Sequence, residues 1–107
     1  MFENICAAVM GSINADMILQ MPKVPEVGEN LLGTQYSYAC GGKGANQAIG
    51  LARLGAKTKM IGKVASDTNG HKLLQNLREN HVDVSGIGTQ GSQTGLAVIL
   101  LDADGKN

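Results

Sequence analysis

Aromatic residues are nearly absent from this chain: it has no tryptophan, one phenylalanine (Phe2) and two tyrosines (Tyr36 and Tyr38). Proteins that hold single-stranded nucleic acid stack bases on such rings, so that platform is missing. Neither sign of charge is in excess, because nine Lys and Arg balance nine Asp and Glu. With no basic stripe to neutralise phosphates, nucleic acid is not an expected partner. No apolar run approaches the roughly 18 residues that a membrane span needs. Glu3 stands near the start, where a secretory leader carries basic residues. Neither a membrane span nor export is expected, and the expected location is the cytoplasm. Cysteine is scarce too. Cys6 and Cys40 lie far apart in sequence and read as buried thiols in a reducing compartment. His71 and His81 have no ligand-like spacing with either, so no metal site is expected.

Glycine is the exception, with fifteen in 107 residues. At this length the chain is bounded at one domain or part of one. It can bury roughly 60–70% of its unfolded surface, enough for a modest core. The densest glycine run is Gly41-Gly42-Lys43-Gly44-Ala45-Asn46-Gln47-Ala48. A strand-like stretch over 32–39 precedes it. Ala45, Ala48, Ile49 and Ala52 then recur at the spacing of one helix face, and Gly55 closes the segment. Glycines let backbone approach a ligand closely, and the free N–H groups of a helix start face whatever binds there. Lys43 adds a charge and Asn46 adds a donor and an acceptor, a combination suited to a small polyhydroxylated or phosphorylated ligand. A Walker loop needs glycine five places before its Gly-Lys pair and a hydroxyl after it, where Ser37 and Gly44 stand. The dinucleotide fingerprint needs a third glycine where Gln47 stands. A tight strand-to-helix connection would equally account for these glycines.

Along the chain, 5–10 reads as a fully buried strand and 17–21 as another, stopped by Pro22 and Pro25. Over 34–39, Thr34, Tyr36 and Tyr38 alternate with Gln35, Ser37 and Ala39, the period of a sheet with distinct faces. A helix is expected over about 44–54 and a strand over 58–65. Asp67 is placed to cap a second helix, whose apolar face is Leu73, Leu74 and Leu77 and whose left-handed terminator is Asn80. Beyond 85–89, residues 94–101 form the most continuous apolar strand, and Asp102-Ala103-Asp104-Gly105 reads as a hairpin turn. Strand, helix, strand, helix at these lengths argues for an α/β layer with parallel strands. The stretches 17–21, 32–40 and 94–101 fall outside that alternation and suit a separate small sheet. A parallel sheet needs cover on both faces, more than two helices provide. An unanswered hairpin after 101 would also leave an apolar edge. The expectation is the first part of a larger domain.

Asn14 and Asp16 follow the first strand and are two apart, so in extended chain they point the same way. Polar groups at a strand end of an α/β sheet sit where ligands bind. Turn chemistry, in which Asn and Asp bond their own backbone, is the other reading.

Taken together, Gly11-Ser12-Ile13-Asn14-Ala15-Asp16, Pro25-Glu26-Val27-Gly28-Glu29 and the Gly41-to-Ala48 run resemble the ribokinase branch of the PfkB-type sugar kinase family. The resemblance runs in order and spacing across essentially all 107 residues as that family's N-terminal portion. It extends through Gly55, the Asp67-to-Gly70 connection and the Thr94-Gly95 strand. Ala65 departs from it, standing where the family's first signature usually ends in glycine.

The resemblance implies a ribokinase-like α/β fold, here a partial three-layer sheet with a small β lid, incomplete at the C-terminus. Residues 1–107 would form the N-terminal part of one domain, with lid strands near 17–21, 32–40 and 94–101. It implies sugar hydroxyls held by Asn14 and Asp16, others by Gly42 and Asn46, and Lys43 near the reactive hydroxyl or the transferred phosphate. The lid would exclude water over the sugar and pair two subunits. The family's catalytic base is an aspartate in a Gly-Ala-Gly-Asp type loop, and no such string occurs here. The base is thus expected beyond Asn107. The same holds for the sites of ATP, Mg²⁺ and a monovalent cation, none of which is expected to bind this chain tightly. The implied function is sugar binding for an ATP-dependent kinase acting on the primary hydroxyl of a pentose, ribose first. The alternative is a non-catalytic piece that binds sugar weakly or pairs through its lid strands.

Overall fold

Two amphipathic helices set among short apolar runs give, in chain order, β1 (Cys6–Met10), β2 (Asn14–Gln20), β3 (Gln35–Gly41), α1 (Lys43–Arg53), β4 (Lys57–Val64), α2 (Thr68–Glu79), β5 (Asp83–Thr89) and β6 (Leu96–Leu101). The computed structural model describes residues 1–107. The chain forms two units: Met1–Ala15 with Cys40–Gly95, and Asp16–Ala39 with Leu96–Asn107.

The first unit is built on a three-stranded parallel sheet in the order β1-β4-β5. Both helices pack into one cluster with its residues, so they cover the same face. Ala45 and Ala48 of α1 and Leu73 and Leu77 of α2 meet Ile13, Met60, Val64 and Val82 there. The small residues of α1 matter, because a Cβ on Gly44 would lie 2.8 Å from the Gly11 backbone and 2.9 Å from Met60 Cε. The helix can therefore seat directly on the strand ends.

The other face carries exposed Cys6, Ala8 and Met10 of β1 and exposed Lys57, Lys59 and Lys63 of β4. The expectation of a fully buried first strand is corrected here, as Met10 is 79% exposed. The expectation of two buried thiols is corrected as well. Cys6 points to the uncovered face of its strand and Cys40 is also exposed.

Strand β5 is an element that the alternation of runs does not predict. Gly86 and Gly88 interrupt its apolar pattern, but Gly86 is needed where it lies, since a Cβ there would stand 2.8 Å from Met60 O. The strand docks on β4 with a register irregularity between Lys59 and Ile61.

Both helices end in the same way. At α1 the Gly55 N–H bonds Ala52 O and the Ala56 N–H bonds Leu51 O, with Gly55 at φ +100°. This pair of bonds closes a helix around one left-handed residue. At α2 the His81 N–H bonds Arg78 O and the Val82 N–H bonds Leu77 O. The left-handed residue is His81, at φ 64°, and not Asn80, at φ −95°. Asn80 instead serves through its side chain: its amide donates to Asn76 O at 2.8 Å, and its oxygen accepts from Arg53 at 3.0 and 3.2 Å. Val82 and Leu77 meet in the core, the apolar contact that accompanies such an ending.

The second unit holds the sheet ordered β3-β2-β6, drawn from the three stretches outside the strand–helix alternation. The period-two pattern of β3 has no buried face to match it, because Gln35 to Cys40 are all exposed. Tyr36 and Tyr38 pack edge to face, with ring centroids 6.1 Å apart. The turn at 25–29 ties itself: the Glu29 N–H bonds Glu26 O, and the Glu26 N–H bonds Glu29 Oε1. Lys23, then that backbone N–H, holds the Glu29 carboxyl below the usual carboxylate range. At 102–106 the chain makes the expected turn, with Asp102 Oδ1 accepting from the Asp104 and Lys106 N–H groups.

Candidate functional site

The glycine run works as an interlock. Gly42 sits at φ +105°, and a Cβ on it would lie 2.4 Å from Ser12 O and 2.9 Å from Ile13 Cα. No side chain can occupy that space, so the 11–13 loop seats directly on the start of α1. Gly42 has no capping side chain of its own. Ser12 supplies the cap from 31 residues away: its Oγ accepts from the Lys43 N–H at 3.0 Å and its carbonyl from the Ala45 N–H at 3.0 Å. The Asn46 N–H turns inward to Gly42 O at 2.9 Å.

This corrects part of the expectation that free helix N–H groups would face the ligand: those of Lys43 and Ala45 are bonded to Ser12. Serine is a favoured capping residue, but nothing in its sequence spacing couples Ser12 to α1, and its role was not legible there.

Lys43 is exposed in the first turn of α1, which contains no acidic residue. A cation at a helix N-terminus opposes the helix dipole and lowers stability by a few tenths of a kcal/mol to about 1 kcal/mol. Local rules are broken in this way at functional sites. The positive end of the helix and the ammonium together make a spot suited to oxygen-rich or anionic groups.

Asn14, Gly42, Lys43 and Asn46 all belong to the first unit, and the loop running into Asn14 is the one locked on Gly42. Asn14 opens β2 and its amide donates to Ala15 O at 3.4 Å. Asp16 is two residues further along β2 and belongs to the second unit. A groove of about 450 Å³ is lined by Cys40, Asn46, Ile49, Gly50, Arg53, Asn76 and Asn80. Of the expected residues it takes only Asn46.

A second cluster lies at the start of α2. Asp67 caps the helix, accepting from the Gly70 N–H at 2.7 Å. It also accepts from Thr94 Oγ1 at 2.6 Å and from the Thr94 N–H at 2.7 Å. Thr94 Oγ1 in turn accepts from the Ala65 N–H at 3.0 Å. Ala65, where the family pattern has glycine, is buried and has no left-handed backbone, so alanine fits.

The Thr94 hydroxyl, then the Thr94 and Gly70 N–H groups, hold the Asp67 carboxyl below its usual range. Near pH 4 the folded chain thus binds fewer protons at Asp67 than the unfolded chain. Its stabilisation is complete above the unfolded carboxylate pKa and is lost as pH falls through the lower folded value. In an acid titration of unfolding followed by circular dichroism, Asp67→Asn is expected to shed part of the stability loss below about pH 4. An unchanged acid limb would show that Asp67 does not contribute to it.

No three of the histidine, cysteine, aspartate and glutamate side chains gather into a group that could hold a metal ion. No helix is long and apolar enough to cross a membrane.

In open α/β folds, ligands bind outside the carboxyl ends of the parallel strands, where the loop after β1 meets the glycine turn and Lys43 here. Residues 6–107 match the pfkB family carbohydrate kinases, and the chain belongs to that family. It is 43% identical to a ribokinase of Bacillus subtilis over 106 residues, covering 98% of this chain and 35% of that protein. Among solved structures it resembles ribokinase from Cryptococcus neoformans in complex with ADP, with a TM-score of 0.84 and 33% identity over 96% of this chain and 33% of that one. Arabidopsis thaliana ribokinase complexed with ribose and ATP gives a TM-score of 0.82 and 31% identity, over 100% of this chain and 35% of that one. The fold is ribokinase-like. The chain spans about a third of the length of the curated relatives it matches.

Proposed function

We propose that this chain is the N-terminal, sugar-binding portion of an ATP-dependent sugar kinase that phosphorylates ribose at its primary hydroxyl. The observation that carries this reading is Lys43. It stands exposed in an α1 turn without acidic residues, on a glycine interlock in which the Lys43 and Ala45 N–H groups are bonded to Ser12. With two of its first N–H groups taken, such a start to a helix favours hydroxyl-rich ligands over a phosphate cradled by backbone N–H groups alone. The named likeness to ribokinases, one of them complexed with ribose and ATP, supports the sugar assignment.

In this reading Asp16 accepts hydrogen bonds from sugar hydroxyls, Asn14 both accepts and donates, and Gly42, through its backbone, and Asn46 hold further hydroxyls. Lys43 approaches the reactive hydroxyl or the transferred phosphate. The β3-β2-β6 sheet is the lid that excludes water. ATP with Mg²⁺, and a monovalent cation, act in the complete enzyme, where ATP supplies the phosphoryl group. These 107 residues contain no Gly-Ala-Gly-Asp string, and in this reading the base and the nucleotide pocket belong elsewhere in that enzyme.

Asp16→Ala tests the reading. A hydrogen bond to a charged group is worth roughly 1.5–3 kcal/mol, so sugar affinity in the complete enzyme is expected to fall at least about tenfold. Titration calorimetry with ribose measures it, and an unchanged affinity would overturn the role of Asp16.

A non-catalytic role has one observation in its favour. Tyr36, Tyr38, Leu96 and Val98 of the second sheet are all about half exposed or more, a surface suited to pairing with a second copy. Sedimentation of the isolated chain as a dimer, with weak sugar binding and no ATP turnover, would favour it.

A further inference from the structure

Capping a helix needs one hydrogen bond from its side chain, yet Asp67 accepts three, two of them from Thr94. We propose that Asp67 is a positioning residue for Asn14, acting through Thr94 and Gly95. The proposal rests on the reading of Asn14 as a sugar-hydroxyl contact.

Thr94 is 7% exposed, and every polar group on its side is committed. Its N–H and hydroxyl both donate to the one carboxylate, and its hydroxyl oxygen accepts from the Ala65 N–H. The backbone and side chain of residue 94 are thereby fixed against the β4–α2 connection. Gly95 follows directly. Its carbonyl accepts from the Ala15 N–H at 2.9 Å, and a Cβ on it would lie 3.6 Å from the Cβ of Asn14. One side-chain pair and one backbone bond therefore join the Asp67 carboxylate to the strand start that carries Asn14. Asp67, Thr94, Gly95, Asn14 and Ala15 all belong to the first unit. Residues that contact a ligand need support of this kind, because a displacement of about 1 Å is enough to lose a productive contact.

Thr94→Val separates positioning from capping, since it removes the hydroxyl while leaving Asp67 its bond to Gly70. Thr94→Ser restores the hydroxyl. On the 107-residue chain, with folding verified by circular dichroism, two quantities are measured by NMR: exchange of the Ala15 amide relative to that of Leu73, and affinity for ribose. Thr94→Val is expected to speed Ala15 exchange at least about tenfold and to weaken ribose binding by a similar factor, since it removes both hydrogen bonds of the hydroxyl, to Asp67 and from the Ala65 N–H. Thr94→Ser is expected to return both to within about twofold of the original values.

In an Asn14→Ala background, Thr94→Val should cause no further loss of ribose affinity. The proposal is overturned if a folded Thr94→Val chain exchanges Ala15 at the original rate. It is equally overturned if the two substitutions weaken ribose binding independently. Should Thr94→Val fail to fold, Asp67→Asn keeps one oxygen for the Gly70 N–H and is read by the same two measurements. If the unaltered chain binds no ribose, the affinity comparison is made in the complete enzyme, where a lack of ribose binding would defeat the sugar reading, and Ala15 exchange in the chain decides the positioning role.

Discussion

Replacing Gly42 by alanine is expected to lower the unfolding free energy of this chain by about 3 kcal/mol. Two independent causes act at that residue. Its backbone, at φ 105° and ψ 129°, lies in a region that side-chain-bearing residues rarely adopt. The added methyl would also stand 2.4 Å from Ser12 O and 2.8 Å from Ser12 C. Relief would require the 11–13 loop to lift off the helix start, which breaks the bonds from the Lys43 and Ala45 N–H groups to Ser12.

Domains are stable by only about 5–15 kcal/mol, so this loss is a large fraction of the total. Gly50→Ala is the internal contrast. Gly50 lies within α1 with open space around a Cβ, and alanine there is expected to stabilise the helix by about 0.5–1 kcal/mol. Urea unfolding of the two variants measures both. Equal midpoints would mean that the interlock is not what fixes Gly42.

Leu77→Ala is expected to cost about 2–5 kcal/mol. Leu77 is 1% exposed and, with Met60, among the largest fully buried side chains. It also sits where α2 ends, its carbonyl accepting from the Asn80 and Val82 N–H groups. A cavity there cannot close without moving that ending. Val98→Ala, at a residue 52% exposed on the second sheet, should stay within about 0.5 kcal/mol of the original chain. The same urea experiment reads this pair, and a Leu77→Ala midpoint close to that of Val98→Ala would contradict the core assignment.

Much of the fold was legible because its determinants are local. The small-residue face of α1, the Gly55 ending, the Asp67 cap and the Leu73–Leu77 stripe are each encoded within one or two turns of chain. So is the separation of the parallel layer from the stretches that pair as a second sheet. What escaped was encoded at a distance. Gly86 of β5 makes sense only beside Met60 and Lys59, which a linear reading cannot place next to it. The choice of His81 over Asn80 as the left-handed residue turns on a single position. Asn80 is drawn aside by Arg53 of the other helix.

In the candidate site, Asn14, Asp16, Gly42, Lys43 and Asn46 stood out by residue type and by family likeness. Ser12 and Thr94 were not recognised for what they do, because their partners lie 31 and 27 residues away.

The borrowed cap on α1 bears on how its glycine string can be used. Residues 41–55 contain Gly42, Lys43 and Asn46, proposed to face the sugar, but not the groups that bond the Lys43 and Ala45 N–H groups, since those come from Ser12. Grafted alone onto another scaffold, the string would begin a helix with unanswered N–H groups and an uncompensated lysine. It is not a portable cassette: the transferable unit is the pair of segments 11–14 and 41–55, held at the spacing that β1 and β4 set.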